Sequence, residues 1–389
     1  MSAKYPLATA TWDAAEYAAI SKVVGSGMFT MGQQVAEFEK LFAQFQGSKY
    51  AVMVNSGSSA NLLMIAALRF TSNSQYKLEP GDEVIVPAVS WATTYYPLAQ
   101  YGLKQKFVDI DAETLNYDLE SLSKAITEKT RAIMVVNLLG NPNDFSVINK
   151  LIAGRNIIVV EDNCESLGAE FNGKKAGSFG LMGTFSSFFS HHISTMEGGV
   201  ITTDDEELYH VLLSLRAHGW TRNLPKYNKV TGVKSDDAFE ESFRFVLPGY
   251  NVRPLEMSGA IGIEQIKKLP MIVRERRKNG NLIQEKMAKH PFLTIQKEIG
   301  KSSWFGFSLL LKPDAGFSRR ELVGKLEAIG FECRPIVGGN FARNPVLTHM
   351  QHEIFGQLKN ADYIDAYGLF VGNHHYPISE AIDILASLK

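Results

Sequence analysis

Four short clusters carry side chains that could do chemistry together. Two adjacent imidazoles, His191 and His192, lie between Ser186-Ser-Phe-Phe-Ser190 and Glu197-Gly-Gly199. Imidazole is the side chain best suited to moving a proton near neutral pH. Two such neighbours do not share one pocket, so one acts and the other packs. The second cluster is Glu161-Asp-Asn-Cys-Glu165, directly after the apolar run Asn156-Ile-Ile-Val-Val160. A carboxylate at the carboxyl end of a buried strand can pair with a protonated ring nitrogen and hold it cationic. Successive strand residues face opposite sides, so Glu161 and Asp162 do not both face one ligand. An N-capping aspartate is the alternative there. The third is Asn55-Ser-Gly-Ser-Ser59. Amides at a helix start, with small hydroxyls, make an anion site, and Gly57 lets the backbone approach closely. A plain N-cap is the alternative. The fourth is Trp91, whose flat face can stack on an aromatic ligand or fill a core.

These clusters need a frame, and the pattern supplies one. Glu37 to Phe45 has apolar residues at helical spacing. Tyr50-Ala-Val-Met-Val54 is strand-like, and Ala60-Asn-Leu-Leu-Met-Ile-Ala-Ala-Leu68 is a strong helix former. Short apolar runs follow at Val84–Ala88, Lys106–Asp109, Ala132–Val136 and Asn156–Val160. Such runs, separated by helical stretches, predict an α/β fold with a mostly parallel sheet covered on both faces. Residues 254 to about 289 read as one or two long helices interrupted near Pro270, and the pattern beyond Pro291 is mixed. At 389 residues the chain is long for one core. The expected division is a large ligand-binding domain over 1–265 and a smaller C-terminal α+β domain over 266–389.

Composition narrows the partners. Lys+Arg number 40 against Asp+Glu 41, a net charge of −1, which gives no footing for a nucleic-acid or membrane-surface partner. No apolar run has the length of a membrane span, and the stretch from Met1 to Pro6 lacks a signal-peptide core. Two cysteines, Cys164 and Cys333, suit a reducing cytoplasm and cannot supply four thiolates to an iron–sulfur cluster. Cys333 reads as a small buried filler. No metal site is expected.

The motifs taken together resemble the DegT/StrS family of fold-type I pyridoxal-phosphate enzymes, which act on nucleotide-linked 4-keto sugars. The resemblance runs nearly end to end. In that family the loop S-F-x-x-x-K precedes G-E-G-G or G-D-G-G, and the lysine binds the cofactor covalently. Here the lysine position is His191. The resemblance implies that Ser186, with Gly57 and Ser58, holds the cofactor phosphate. It puts Asp162 on the pyridine nitrogen, Glu165 near the ring hydroxyl in place of the usual glutamine, and Trp91 on the ring. It leaves His192 as packing. Asn251 is implied to reach the cofactor phosphate of a neighbouring subunit, hence a homodimer with shared sites. Phe29, His218, Arg222, Arg253 and Arg334 are implied substrate contacts. Arginine forks match carboxylate and diphosphate, although an exposed arginine is otherwise a solvated side chain.

The stretches Ser190–Gly199 and Arg216–Pro225 resemble the branch of that family acting on GDP-4-keto-6-deoxy-D-mannose. That branch implies pyridoxal and pyridoxamine phosphate as cofactor forms and glutamate as amino donor. It implies loss of the sugar's C3 hydroxyl, with His191 removing a proton at the cofactor's C4′. The products are then ammonia and GDP-4-keto-3,6-dideoxy-D-mannose, for colitose and O-antigen synthesis. Two alternatives stand beside it. One is an aminotransferase using Lys174 or Lys175, and the other is a silent cofactor-binding relative.

Overall fold

The computed structural model describes residues 3–389; Met1 and Ser2, counted above in the large domain, lie outside the described residues. Its centre is an eight-stranded sheet built from short runs of apolar residues. The strands are β1 (Tyr50–Val54), β2 (Glu83–Pro87), β3 (Lys104–Val108), β4 (Thr130–Val136) and β5 (Ile158–Asp162), joined by Met182–Ser186, Gly199–Thr203 and His352–Ile354. The spatial order is β1, Gly199–Thr203, Met182–Ser186, β5, β4, β2, β3, His352–Ile354. Only Gly199–Thr203 runs against its neighbours. All the other strands therefore present their carboxyl ends along one edge, where open α/β sheets bind ligands.

Helices cover both faces because the strands are buried on both. Asp13 and Glu16 form a capping box at the start of α1 (Ala14–Ser26), and Gly27, at φ 71, closes it. α2 (Gln33–Gln46) buries Val35, Phe38, Phe42 and Ala43. α3 (Gly57–Phe70) starts at the Ser56 cap and buries nearly its whole length, so it lies inside the layer stack. α4 (Ala92–Gln100) begins directly after Trp91.

The helix Glu256–Met287 is one continuous element of 32 residues, which corrects the interruption expected at Pro270. A proline inside a helix costs about 3 kcal/mol. Here Ile266, Leu269 and Val273 bury against Val35, Phe38 and Phe42, and that packing offsets the loss. Pro270 itself faces solvent. The division expected between residues 265 and 266 falls inside this helix. The second sheet has four antiparallel strands in the order Leu293–Thr294, Gly306–Leu311, Gly368–Gly372, Cys333–Arg334. Its core joins Ile283, Met287, Leu309, Leu322, Val371 and Ile382. The chain between its last two strands goes back to the large core. Ile336, Phe341, Leu347 and Ile364 pack with Tyr95 and Phe107, and His352–Ile354 pairs in parallel with β3. The C-terminal third thus serves both cores. Cys333, expected as a buried filler, is only half-buried on an edge strand. Among the described residues no helix is long and apolar enough to cross a membrane.

Candidate active site

A cavity of about 510 Å³ opens at the carboxyl edge of the large sheet. It brings together Gly57, Ser58, Trp91, Asp162, Glu165, Ser186 and His191, which the sequence placed in four separate clusters.

One end of the cavity is the start of α3. Ser56 Oγ accepts the Ser59 N–H at 3.1 Å, so the cap reading of this serine is correct. The first two amides of the helix, at Gly57 and Ser58, have no carbonyl within the helix to bond. Ser58 Oγ donates to Thr93 Oγ1 at 3.1 Å. Ser186 ends its strand against this turn. A Cβ on residue 57 would stand 2.7 Å from Ser186 Cβ and 3.0 Å from Cys164 Sγ, so only glycine fits. Two amides, the hydroxyls of Ser58 and Ser186 and a helix N-terminus stand together in an arrangement that could hold a phosphate. Burial pushes the Cys164 thiol well above its usual range, which leaves it a neutral wall.

The carboxylate pair at the end of β5 divides as strand alternation requires. Glu161 turns away and accepts the amides of Gly177, Phe179 and Gly180 at 2.6, 2.6 and 2.7 Å, which ties down that loop. Asp162 turns into the cavity. Its Oδ2 accepts Asn61 Nδ2 and Thr94 Oγ1, both at 2.8 Å, and its Oδ1 accepts the Cys164 amide at 3.1 Å. Three donors fix a cavity-facing acceptor that could pair with a cationic ring nitrogen. Glu165 Oε2 accepts the Leu139 amide at 3.0 Å. Burial, reinforced by the Asp162 charge, pushes its carboxyl up to about 7. Trp91 is 59% exposed at the cavity, which removes the core-packing alternative.

His191 stands opposite. Its ring centroid is 5.1 Å from that of Phe305 and 6.0 Å from that of Phe188, and its Nδ1 has no hydrogen-bond partner. Desolvation, helped by the charge of Arg276, lowers it to about 4, so the imidazole is neutral at pH 7 and free to accept a proton. His192 is fully buried and meets the Ser303 carbonyl from Nε2 at 3.0 Å, which is packing as expected. No lysine lines the cavity among the described residues. Lys174 and Lys175 lie on a small hairpin elsewhere, with their ammonium groups over Phe179 and Phe45. Phosphate cradle, anchored carboxylate, exposed indole and unpartnered imidazole together fit a phosphorylated pyridine ring.

Of the expected substrate contacts, Arg334 reaches the cavity mouth, held at 3.1 Å by Glu332. Phe29, His218, Arg222, Asn251 and Arg253 do not line this cavity within one chain. They gather on a separate surface. Trp220 meets the tilted ring of His218 at 4.7 Å and carries the Arg222 and Arg253 guanidinium groups at 4.7 and 5.9 Å. Arg253 Nε donates to Asn251 Oδ1 at 3.0 Å. Met28, Phe29, Phe243, Phe245 and Leu255 are exposed on the segments that meet there. Sequence reasoning missed Asn61, Thr94, Phe305 and Arg276. Asn61 had a signal, since it lies one helical turn past Gly57 on the same face. Phe305 had none, because it arrives from the second sheet.

The family model of the DegT/DnrJ/EryC1/StrS aminotransferase family matches residues 11–384. GDP-4-keto-6-deoxy-D-mannose 3-dehydratase of Escherichia coli O55:H7 is 64% identical over 382 residues, covering 98% of each chain. A crystal structure of GDP-4-keto-6-deoxymannose-3-dehydratase, a histidine-to-asparagine variant with bound GDP-perosamine, superposes with a TM-score of 0.97. It is 64% identical and covers 98% of this chain and 99% of that one. Another, with a trapped PLP–glutamate geminal diamine, has the same TM-score, identity and coverage.

Proposed function

Because the chain belongs to the DegT/DnrJ/EryC1/StrS aminotransferase family, we propose that it removes the C3 hydroxyl of GDP-4-keto-6-deoxy-D-mannose. The products are GDP-4-keto-3,6-dideoxy-D-mannose, 2-oxoglutarate and ammonia, with glutamate supplying the two electrons and the nitrogen. The observation that carries this reading is that His191 lines the cavity, with no lysine beside it, at the position where the family's aminotransferases have a lysine. Pyridoxal phosphate, when bound, supplies an electron sink and, in its amine form, the nitrogen that engages the sugar's C4 carbonyl.

The chain's own residues do the rest. The amides of Gly57 and Ser58, with the hydroxyls of Ser58 and Ser186, hold the phosphate. Asp162 keeps the ring nitrogen protonated, Trp91 covers the ring face, and Glu165 reaches the ring hydroxyl. His191 takes up the proton whose removal drives off the C3 hydroxyl. An imidazole forms no covalent link to the cofactor, and in this reading the C3 hydroxyl leaves before any proton reaches sugar C4. The outcome is therefore dehydration rather than amino transfer.

The same reading includes a second copy of the chain. An apolar patch with two arginines and an indole suits an interface better than water. In a homodimer, Asn251 would reach the partner's phosphate cradle, and Phe29, His218, Arg222 and Arg253 would meet the nucleotide beside Arg334. The two free thiols suit the cytoplasm.

Incubation with pyridoxal phosphate, glutamate and GDP-4-keto-6-deoxymannose tests the reaction. Mass and NMR should show a sugar lighter by one oxygen, with a methylene at C3. A 4-amino sugar would reject the reading.

A further inference from the structure

The helix Glu256–Met287 carries a cation that the reaction above leaves unused. Arg276 is 4% exposed, and among the described residues no carboxylate opposes it; burial alone pulls its guanidinium down to about 10. Its Nη1 donates to the carbonyls of Phe305 at 2.9 Å and Trp304 at 3.4 Å, while its Nε has no partner. A charge buried on carbonyls alone is expensive to keep. Those carbonyls belong to a strap, residues 302–305, along the cavity wall. Trp304 has φ 48 and Leu139, across from it, φ 52, a region that side-chain-bearing residues avoid. The two strained turns are bonded together. The Ser303 amide donates to the Gly140 carbonyl at 2.9 Å and the Phe305 amide to the Leu139 carbonyl at 3.0 Å. Asn373 Nδ2 closes the arrangement on the carbonyls of Arg276 and Trp304, at 3.1 and 2.8 Å.

We propose that Arg276 is a positioning residue for His191: it draws the strap's carbonyls onto the long helix, seats Phe305 against the imidazole, and leaves an unopposed positive charge behind it. The proposal rests on His191 being the base. Around the cavity His191 faces the carboxylates of Asp162, Glu165 and Glu197, with Arg334 at the mouth and His192 behind. Negative charge on that side favours an imidazolium, whereas burial first and Arg276 second disfavour it. The same charge acts on His192, His374 and His375; Arg277 adds to it at His192, and Lys268 at His375.

Histidine NMR titration of the holoenzyme tests this in the parent, Arg276→Gln and Arg276→Lys. Glutamine keeps a donor without the charge, and lysine keeps the charge without the fork. The parental His191 midpoint should lie well below 6.5, and it should rise by about one unit or more in Arg276→Gln, with the acid limb of kcat/KM following. In Arg276→Lys the midpoint should stay within about half a unit of the parent, while kcat falls at least about tenfold at unchanged KM as Phe305 loosens. A parental midpoint near 6.5, or an Arg276→Gln midpoint equal to the parent's, overturns the proposal. If Arg276→Gln does not fold, Arg276→Lys still decides: a kcat at least about tenfold down at a parental midpoint supports the proposal, and a lysine variant with parental kcat overturns it. A purely structural arginine would lower the melting temperature of both variants and move no midpoint. The ring titrates whether or not it is the base, so failure of that assignment shows separately, as ammonia release surviving in His191→Asn.

Discussion

Replacing Gly57 by alanine puts a methyl group where the phosphate cradle has no room for one. The new Cβ would lie 2.7 Å from Ser186 Cβ, 3.0 Å from Cys164 Sγ and 3.1 Å from Ser186 Oγ. Carbon atoms in contact settle at about 3.5–4.0 Å, so the overlap is about 1 Å. Ser186 Cβ is fixed to the last residue of a buried strand, and no rotamer moves it. The strand end or the first turn of α3 must shift. Such overpacking costs about 1–3 kcal/mol. Expressed wholly in binding, that weakens pyridoxal phosphate by about fivefold to about 150-fold. Titration of cofactor-free Gly57→Ala, followed by absorbance, reads the dissociation constant, and thermal unfolding of the same sample checks the fold. A constant within about twofold of the parent, at parental stability, would refute the assignment of this turn to the phosphate.

Asp162→Asn should cripple both the sugar and the glutamate half-reactions, because an amide cannot hold the ring proton; Trp91→Phe, which keeps an aromatic face, should only weaken cofactor retention. Parental glutamate turnover in Asp162→Asn removes Asp162 from this role. After borohydride treatment, denaturing mass spectrometry should give the unmodified chain mass, and a cofactor adduct on any lysine contradicts the account. Burial first, and Arg276 second, hold His191 and His374 down to about 4 and His192 well below 6.5. The unfolded chain therefore binds these protons first. The stability from burying neutral imidazoles is full above about 6.5 and is lost as pH falls toward 4. A melting temperature flat across that window would contradict neutral burial.

The large sheet was legible because its strands are short buried runs, and Ile158–Asp162 and Tyr50–Val54 announce themselves without any partner. The same alternation said that Glu161 and Asp162 could not both face one ligand, and the family resemblance chose Asp162. The Pro270 helix was misread because local propensity opposes it and only packing against α1 and α2 decides. The return of the C-terminal third to the large core was hidden for a related reason. Residues 335–367 look like any mixed segment, and nothing local says that Phe341 stacks on Tyr95 at 4.2 Å in the other core. At the site, motif residues on neighbouring loops were readable. Phe305 and Arg276 were not, since their role comes from a strap meeting a distant turn. Arg222 and Arg253 were recognised as a pair of forks, but a single chain places them around Trp220 and away from the cavity.

Ammonia release by His191→Asn in the presence of cofactor, glutamate and GDP-4-keto-6-deoxymannose tests the central claim most directly. Asparagine keeps polarity and rough size, and Ser58, Asp162 and Ser186 still hold the cofactor, so binding should survive. Loss of the base should lower the release rate on the order of 10²–10⁴-fold. Retention of more than about a tenth of the parental rate, less than a general base contributes, would contradict the account and turn attention to His192.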